Sequence, residues 1–293
     1  MTGLGLAAYF RCFYGIVGRE ALRFVQQRGR FVAALVRPLV WLFIFAAGFR
    51  SVLGVSIIEP YETYVLYEVY ITPGLLAMIQ LFNGMQSSLS MVYDREMGSM
   101  RSLLVSPFPR WFLLLSKLMA GVFISIIQVF IFLAIAYVWE IEPPLYGYLT
   151  VIPALILSGL MLGSLGLLLS SLIKQLENFA GVMNFVIFPM FFMSSALYPL
   201  WRMEESSPLL YQLCLFNPFT YAVDFIRHAL YGQFNVESFL VLSGCTIVFV
   251  SLAVLAYNPS KGLIARRGGP GGNSSANGAN NANGANGTNA TSS

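Results

Sequence analysis

Six apolar runs of roughly 20 residues each, almost free of charged side chains, limit what this chain can fold into. They lie at about residues 31–53, 71–92, 112–139, 150–173, 179–200 and 239–257. As an α-helix, such a run crosses the ~30 Å of hydrocarbon in a bilayer and satisfies its own backbone hydrogen bonds there. Hydrophobic residues make up 57% of the chain and charged residues 10%, whereas soluble domains carry about 25% charged residues. The sequence therefore predicts an all-α membrane protein with six transmembrane helices.

The distribution of charge along the chain predicts the orientation of these helices. If the N-terminus is cytoplasmic, most of the 17 Lys and Arg residues lie in inner segments and most of the 13 acidic residues lie in outer ones. An excess of cations in the inner segments is the rule for membrane proteins. We therefore expect both termini to be cytoplasmic, in a multi-pass protein of a bacterial cytoplasmic (inner) membrane.

The chain divides into three parts. Residues 1–30 mix apolar side chains with arginines, which predicts an amphipathic interfacial helix in the inner headgroup region, either as a simple anchor or with a further role. Residues 31–258 hold the six spans. From residue 268 onward the chain is almost entirely Gly, Asn, Ala, Ser and Thr. Because that composition cannot bury a core, we expect residues 259–293 to form a disordered cytoplasmic tail.

Residue types that carry chemistry are scarce. A zinc or haem site needs more than the one histidine, His228, and the cysteines Cys12, Cys214 and Cys245 are too scattered for a disulfide framework or a metal site. The sequence has no Gly-Lys pair of the kind found in phosphate-binding loops. We therefore expect no catalytic or metal site and no nucleic-acid partner, and we expect any energy source to belong to another polypeptide.

The predicted spans contain uncharged polar side chains, and none has a carboxylate near its centre. These side chains could line a pathway, or they could form hydrogen bonds between helices. The residues concerned are Gln80, Asn83, Gln86, Gln128 and Asn184. Gly159 and Gly163 have the four-residue spacing of a close contact between helices.

The inner loop after the second span, residues 93–107, predicts a short amphipathic helix. Asp94 can cap this helix and Pro107 forces its end. Four apolar side chains fall on one of its faces: Met97, Met100, Leu103 and Leu104. The helix could rest on lipid, but its charges of both signs and its central Gly-Ser pair favour a protein partner.

The outer segment at residues 201–233 is too polar to cross the membrane and too apolar to remain in solvent. Asn217 is a good helix cap, Pro218 suits the first turn, and Asp224 and Arg227 are three residues apart. We expect a re-entrant helix that enters the membrane from outside. Backbone at that depth must be buried in protein or line a wet cavity.

Both segments are similar to the motifs of a known family. The inner loop contributes Arg95-Glu96-Met97-Gly98-Ser99, Leu103-Leu104 and Ser106-Pro107, and the outer part contributes Leu197-Tyr198-Pro199, the run from Asn217 to Asp224, and Arg227. Over about residues 9–257 the chain resembles the ABC-2 type permeases, the membrane subunits of ABC exporters for drugs, lipo-oligosaccharides and polysaccharides. It most resembles the nodulation-factor and drug-export type, with the subgroup associated with quinoprotein alcohol oxidation as an alternative.

This resemblance implies a permease subunit of six spans that forms the translocation pathway as a homodimer. Each copy would dock through its cytoplasmic coupling helix onto a separate ABC ATPase subunit, which binds ATP and Mg²⁺ and hydrolyses the nucleotide. The residues implied for coupling are Arg95, Glu96, Gly98, Ser99 and Arg101. Many relatives have Thr and an acidic residue at the positions of Ser99 and Arg101.

The outer helix implied by the resemblance contains Asn217, Pro218, Asp224 and Arg227. We expect it to act as a gate that closes the exit between the two copies, with three apolar side chains turned inward: Phe219, Val223 and Ile226. The sequence does not identify the substrate. The alternative function is that of a non-transporting membrane scaffold or biogenesis factor with the same fold.

Overall fold

The computed structural model describes residues 5–26, 28–49, 60–61, 65–96, 107–139, 141–173 and 175–256. These residues form ten helices, with no β-strand among them. The helices are α1 Leu6–Gln26, α2 Arg28–Phe49, α3 Tyr67–Glu96, α4 Arg110–Tyr137, α5 Gly147–Leu172, α6 Leu176–Phe192, α7 Leu200–Ser206, α8 Pro208–Phe216, α9 Pro218–Leu230 and α10 Val236–Ala256. The predicted all-α class is confirmed.

Each predicted apolar run overlaps one long helix, namely α2, α3, α4, α5, α6 and α10. Within the described residues, three helical segments are both long and apolar enough to cross a membrane: Trp111–Tyr137, Gly147–Leu172 and Val236–Ala256. Two shorter apolar segments, Val32–Ile44 and Leu176–Phe192, accompany them. The structure therefore supports a membrane protein, while the crossing of all six helices stays a prediction.

Two helix ends differ from the sequence prediction. The fifth apolar run was expected to stay helical to residue 200, but α6 ends at Phe192 and a bend follows. At its C-terminal end, α3 continues to Glu96, so Asp94 lies in its last turn and does not cap a separate helix. Residues 97–106, the greater part of the predicted coupling helix, lie outside the described residues, as does the predicted tail at 259–293.

The core of the bundle is built around α5, which packs against α3, α4, α9 and α10. Glycines allow the closest approach. A Cβ atom added to Gly84 of α3 would lie 2.9 Å from the Cα of Gly163 in α5, and one added to Gly163 would lie 2.6 Å from Leu118 of α4. The predicted close contact at Gly159 and Gly163 is confirmed, because both residues face neighbouring helices at short range.

Candidate functional site

Asn217 fixes the start of α9 and also ties this helix to α6. Its side-chain oxygen accepts a hydrogen bond of 3.0 Å from the amide of Phe219, which caps the helix as predicted. Its side-chain nitrogen donates bonds of 2.7 Å to the carbonyls of Met190 and Met193. These two carbonyls lie at the C-terminal end of α6, where helix carbonyls lack backbone hydrogen-bond partners. The Asn217 carboxamide therefore satisfies carbonyls at the end of α6 and an amide at the start of α9.

Arg227 of α9 is buried, with 4% of its surface exposed. Its Nη1 lies 2.6 Å from Oδ1 of Asp224, and its Nη2 donates a bond of 2.8 Å to the carbonyl of Ser195 in the bend after α6. The Ser195 hydroxyl donates to the same carboxylate oxygen of Asp224 at 2.9 Å. The two residues that the sequence places three apart therefore form an ion pair, in which the Arg227 side chain is buried and that of Asp224 is 20% exposed.

Tyrosines of α3 and of the segment before it complete the cluster around Arg227. The guanidinium carbon of Arg227 lies 4.4 Å from the centroid of the Tyr70 ring, a cation–π geometry. The Tyr70 hydroxyl donates to the Ser195 carbonyl at 3.0 Å, and the Tyr67 hydroxyl donates to the Leu197 carbonyl at 2.8 Å. Burial raises the pKa of Tyr61 to about 12 although the nearby Arg227 opposes this shift, so the phenol is neutral at physiological pH.

The apolar face of α9 is directed into the protein's own core. Phe219, Val223 and Ile226 each have no exposed surface. The expectation that they turn inward is met within one protomer, because they pack with residues of α3, α5 and α6. In this arrangement the three side chains are enclosed by their own protomer, and a gate between two copies stays a prediction.

Four of the five polar residues predicted within the spans lie on α3 and α4. Gln80 donates to the Leu155 carbonyl of α5 at 2.7 Å and accepts from the Ser158 hydroxyl at 2.6 Å. The side-chain nitrogen of Asn83 donates to the side-chain oxygen of Gln128 at 2.5 Å. These residues hold helices together, which was one of the two interpretations left open by the sequence.

Asn184 and Gln86 differ from that group. Asn184 lies on the exposed face of α6, beside Phe185 and Phe188. Gln86 is half-buried and lines a small crevice between α1, α3 and α4. The structure therefore separates the predicted pathway residues into three that join helices and two that remain open to a partner.

Charged side chains join α1, α3 and α4 near the C-terminal end of α3. The Nζ of Lys117 in α4 lies 3.2 Å from Asp94 of α3, and Arg23 of α1 approaches the same carboxylate at 3.7 Å. On the other side of the inner loop, the Tyr9 ring of α1 lies edge-on to the Phe112 ring, 4.9 Å between centroids. Both ends of the inner loop therefore rest against α1.

The implied coupling residues lie at or beyond the end of α3. Arg95 and Glu96 are its last two residues, whereas Gly98, Ser99 and Arg101 fall outside the described residues. Their role therefore stays a prediction. Among the residues that the structure describes, no group of three or more His, Cys, Asp or Glu side chains is placed to hold a metal ion.

Comparison with known proteins shows which family this chain matches. The family described as "ABC-2 type transporter" matches residues 11–231. The "Putative transport permease ycf38" of Porphyra purpurea is 28% identical over 216 residues, which cover 73% of this chain and 72% of the relative. The "Probable multidrug ABC transporter permease YbhR" of Escherichia coli (strain K12) is 32% identical over 165 residues, covering 55% of this chain and 43% of the relative. "Nodulation protein J" of Rhizobium leguminosarum bv. viciae is 26% identical over 116 residues, covering 40% and 42%.

Proposed function

Because the chain belongs to the ABC-2 type transporter family, we propose that it is the permease subunit of an ATP-driven exporter. The observation that carries this proposal is the family match over residues 11–231, which includes α2 to α6, α9 and most of α1. The names of the relatives, a transport permease and a multidrug permease, point the same way. ATP binding and hydrolysis would belong to a separate ABC ATPase subunit.

In this proposal α2, α3, α4, α5, α6 and α10 cross the cytoplasmic membrane of a bacterium, with both termini inside. The number of helices and the distribution of cations support this topology. The shortest of these helices is α6, with 17 residues. At 1.5 Å per residue it is about 26 Å long, so the bend after Phe192 would complete the crossing.

The inner loop would pass motion between the ATPase and the spans through Arg95, Glu96, Gly98, Ser99 and Arg101. The packing at its two ends supports this role. The ion pair of Asp94 with Lys117 holds the end of α3, and the edge-on contact of the Tyr9 and Phe112 rings holds the start of α4. A force applied to the loop would therefore reach α1, α3 and α4 together.

The proposed homodimer is supported by the exposed face of α6. Phe185 is 78% exposed and Asn184 is exposed beside it, in the stretch of α6 from Phe179 to Phe192 where every other residue is apolar. In lipid a carboxamide on that face would lack hydrogen-bond partners, which is unfavourable. A second copy would cover this face. A cysteine at Phe185 of a chain without Cys12, Cys214 and Cys245 should then form a cross-linked dimer, whereas one at the buried Val223 should not.

The translocation pathway would run along this α6 face, with Asn184 among its polar groups. Gln86 lines the crevice between α1, α3 and α4, so the structure gives no support for it on this face. Asn217, Pro218, Asp224 and Arg227 would form an outer gate by fixing α9 to the end of α6. Support for a gate of this kind comes from the hydrogen bonds of Asn217 and Arg227 to that end. The alternative function, a membrane scaffold without transport, needs neither an ATPase nor an inner loop that moves.

A bulky substitution in the inner loop tests the proposal. Gly98→Trp should leave the protein inserted in the membrane but release its ABC ATPase partner, or separate ATP hydrolysis from export, because interface contacts can be worth ~2 kcal/mol or more. Copurification and ATP-driven export from vesicles are the measurements. Gly272→Trp, the same change in the C-terminal segment, is the matched control. A wild-type chain that retains no ATPase would favour the scaffold.

A further inference from the structure

One face of α1 exposes apolar side chains that no other part of the described chain covers. Phe10, Tyr14 and Val25 have exposed fractions of 69%, 80% and 71%. The helical spacing puts these three residues on one side of α1, whereas Tyr9 on another side packs against α4. Four of the 21 residues of α1 are charged, which is too many for a helix that spans the membrane. An exposed apolar face on a charged helix is typical of a helix that lies in the membrane surface.

Two arginines border this apolar face. Arg19 and Arg23 are four residues apart, so they are neighbours on the surface of α1. Their side chains are 56% and 40% exposed, which leaves both within reach of a ligand from outside the protein. Glu20 pairs with Arg19 at 3.1 Å, and the charge of Arg19 is therefore already balanced.

Arg23 carries a positive charge that the described part of the protein balances only partly. Its guanidinium lies 3.7 Å from the Asp94 carboxylate, whereas the Nζ of Lys117 lies closer to the same group, at 3.2 Å. Because the Lys117 side chain is only 7% exposed, it depends on this carboxylate. With the Arg19–Glu20 pair included, the described cluster has three cations for two carboxylates. The unbalanced charge therefore falls on Arg23, the more exposed of the two cations that share Asp94.

Other arginines extend this positive charge along the same part of the chain. Arg11 follows Phe10 of the apolar face, and α2 begins with Arg28 and has Arg30 in its first turn. Basic segments next to a membrane span are attracted by anionic lipids of the cytoplasmic leaflet. A phospholipid with a net negative charge matches both features of α1, because it offers an anionic group to the arginines and acyl chains to the apolar face.

We propose that α1 binds an anionic phospholipid of the inner leaflet through Arg23 and Arg19, and that the lipid phosphate competes with Asp94 for Arg23. A guanidinium can donate two parallel hydrogen bonds to a phosphate, which favours the phosphate over a carboxylate already held by Lys117. The acyl chains would lie against the exposed apolar face. The inference uses the proposed topology but not the export function, because this lipid stays bound and is not cargo.

This competition would give the protein a regulatory contact. Asp94 lies in the last turn of α3, directly before the inner loop. In a membrane without anionic lipid, Arg23 would hold Asp94 and so fix α1 to that turn. In a membrane rich in anionic lipid, Arg23 would turn to the phosphate, and the end of α3 would lose this link to α1. The lipid composition would therefore set how firmly the start of the inner loop is held.

Lipid binding to the purified full chain tests this proposal. Native mass spectrometry would compare phosphatidylglycerol with phosphatidylcholine of the same acyl chains. We expect phosphatidylglycerol to bind about fivefold more tightly, the ratio expected for one unbalanced cation at a membrane surface. Arg23→Gln should remove this preference, whereas Arg23→Lys should keep most of it. Arg202→Gln is the matched control, because Arg202 is also exposed but lies on the outer helix α7.

A double variant tests the competition. Asp94→Asn with Lys117→Met removes the carboxylate, leaves no buried lysine without its partner and keeps the net charge of the chain unchanged. Phosphatidylglycerol should then bind at least about twofold more tightly, because Arg23 no longer has Asp94 as a partner. Unchanged or weaker binding by this variant would overturn the proposal. Equal binding of the two lipids by the wild-type chain would also overturn it, and so would a preference that survives Arg23→Gln. Because the assay contains no ATPase, a failure of the proposed export function would not alter these outcomes.

Discussion

The guanidinium of Arg227 donates a hydrogen bond of 2.8 Å to the main-chain carbonyl of Ser195. This bond joins α9 to the bend that follows α6. Asn217, ten residues earlier at the start of α9, holds the last turn of α6 through the Met190 carbonyl. Because α9 grips the end of α6 at two separate points, we expect the outer helix and the outer half of α6 to move as one body.

The first prediction concerns the buried ion pair. Asp224→Ala should lower the free energy of unfolding by about 3 kcal/mol or more, because it leaves the buried Arg227 cation without its carboxylate. The double change with Arg227→Ala should be less harmful than the sum of the two single changes, with a coupling of at least ~1 kcal/mol. Reversible unfolding in mixed micelles would measure both.

Arg202 is the control for this pair. It is an arginine on the neighbouring outer helix α7, but it is exposed and lies over the Trp201 ring. Arg202→Ala should leave the stability nearly unchanged. Strictly additive effects of Asp224→Ala and Arg227→Ala would contradict a coupled, buried pair.

The second prediction separates the two roles of Asn217. Asn217→Asp keeps the capping oxygen but places a carboxylate where the carboxamide donated to the carbonyls of Met190 and Met193. We expect a loss of at least about 2 kcal/mol at neutral pH, because both carbonyls lose their donor and face a negative charge. Thermal unfolding would show the loss.

Asn235 provides a matched control for that change. Its side-chain oxygen accepts from the Ser238 amide at the start of α10, at 3.0 Å. Asn235→Asp should be tolerated or stabilising, since a carboxylate at a helix N-terminus is favourable. Equal losses at the two positions would show that capping, and not the link to α6, is what Asn217 contributes.

Local signals in the sequence were sufficient to predict the start of α9. An Asn followed by Pro specifies a cap and a first turn through contacts within a few residues, and the structure confirms this start at Asn217 and Pro218. The partners of Arg227 could not be predicted in the same way. Ser195 and Tyr70 are distant from Arg227 in sequence. Because the burial of Arg227 depends on three separate elements, no local sequence pattern indicates it.

The end of α6 and the end of α3 also could not be predicted from local sequence. Hydropathy continues past Phe192, so the apolar run gave no reason to end the helix there. The bend is possible because Tyr67 of α3 and Asn217 at the start of α9 donate hydrogen bonds to its carbonyls. Asp94 is a good capping residue by type, yet Lys117, 23 residues away, holds it inside the last turn of α3.

The third prediction tests this inner pair. Asp94→Asn should destabilise the protein by about 3 kcal/mol, because the Lys117 side chain is only 7% exposed and would lose a close carboxylate. The double change Asp94→Asn with Lys117→Met should recover most of the loss, since no buried charge is then left without a counterion. Unfolding of the purified chain is the measurement, and a double variant as unstable as the single one would contradict the pairing.

The fourth prediction concerns the contact of α3 with α5. A methyl group on Gly84 would lie 2.9 Å from the Gly163 Cα, which is backbone and cannot turn aside, so Gly84→Ala should cost about 1–3 kcal/mol through overpacking. Gly244 of α10 has no atom within 4 Å of the corresponding position. Gly244→Ala should instead stabilise the chain by roughly 0.5–1 kcal/mol, because alanine loses less conformational freedom in a helix than glycine. The two unfolding midpoints should therefore move in opposite directions, and a shift in the same direction for both would show that α3 and α5 are less closely packed than the structure indicates.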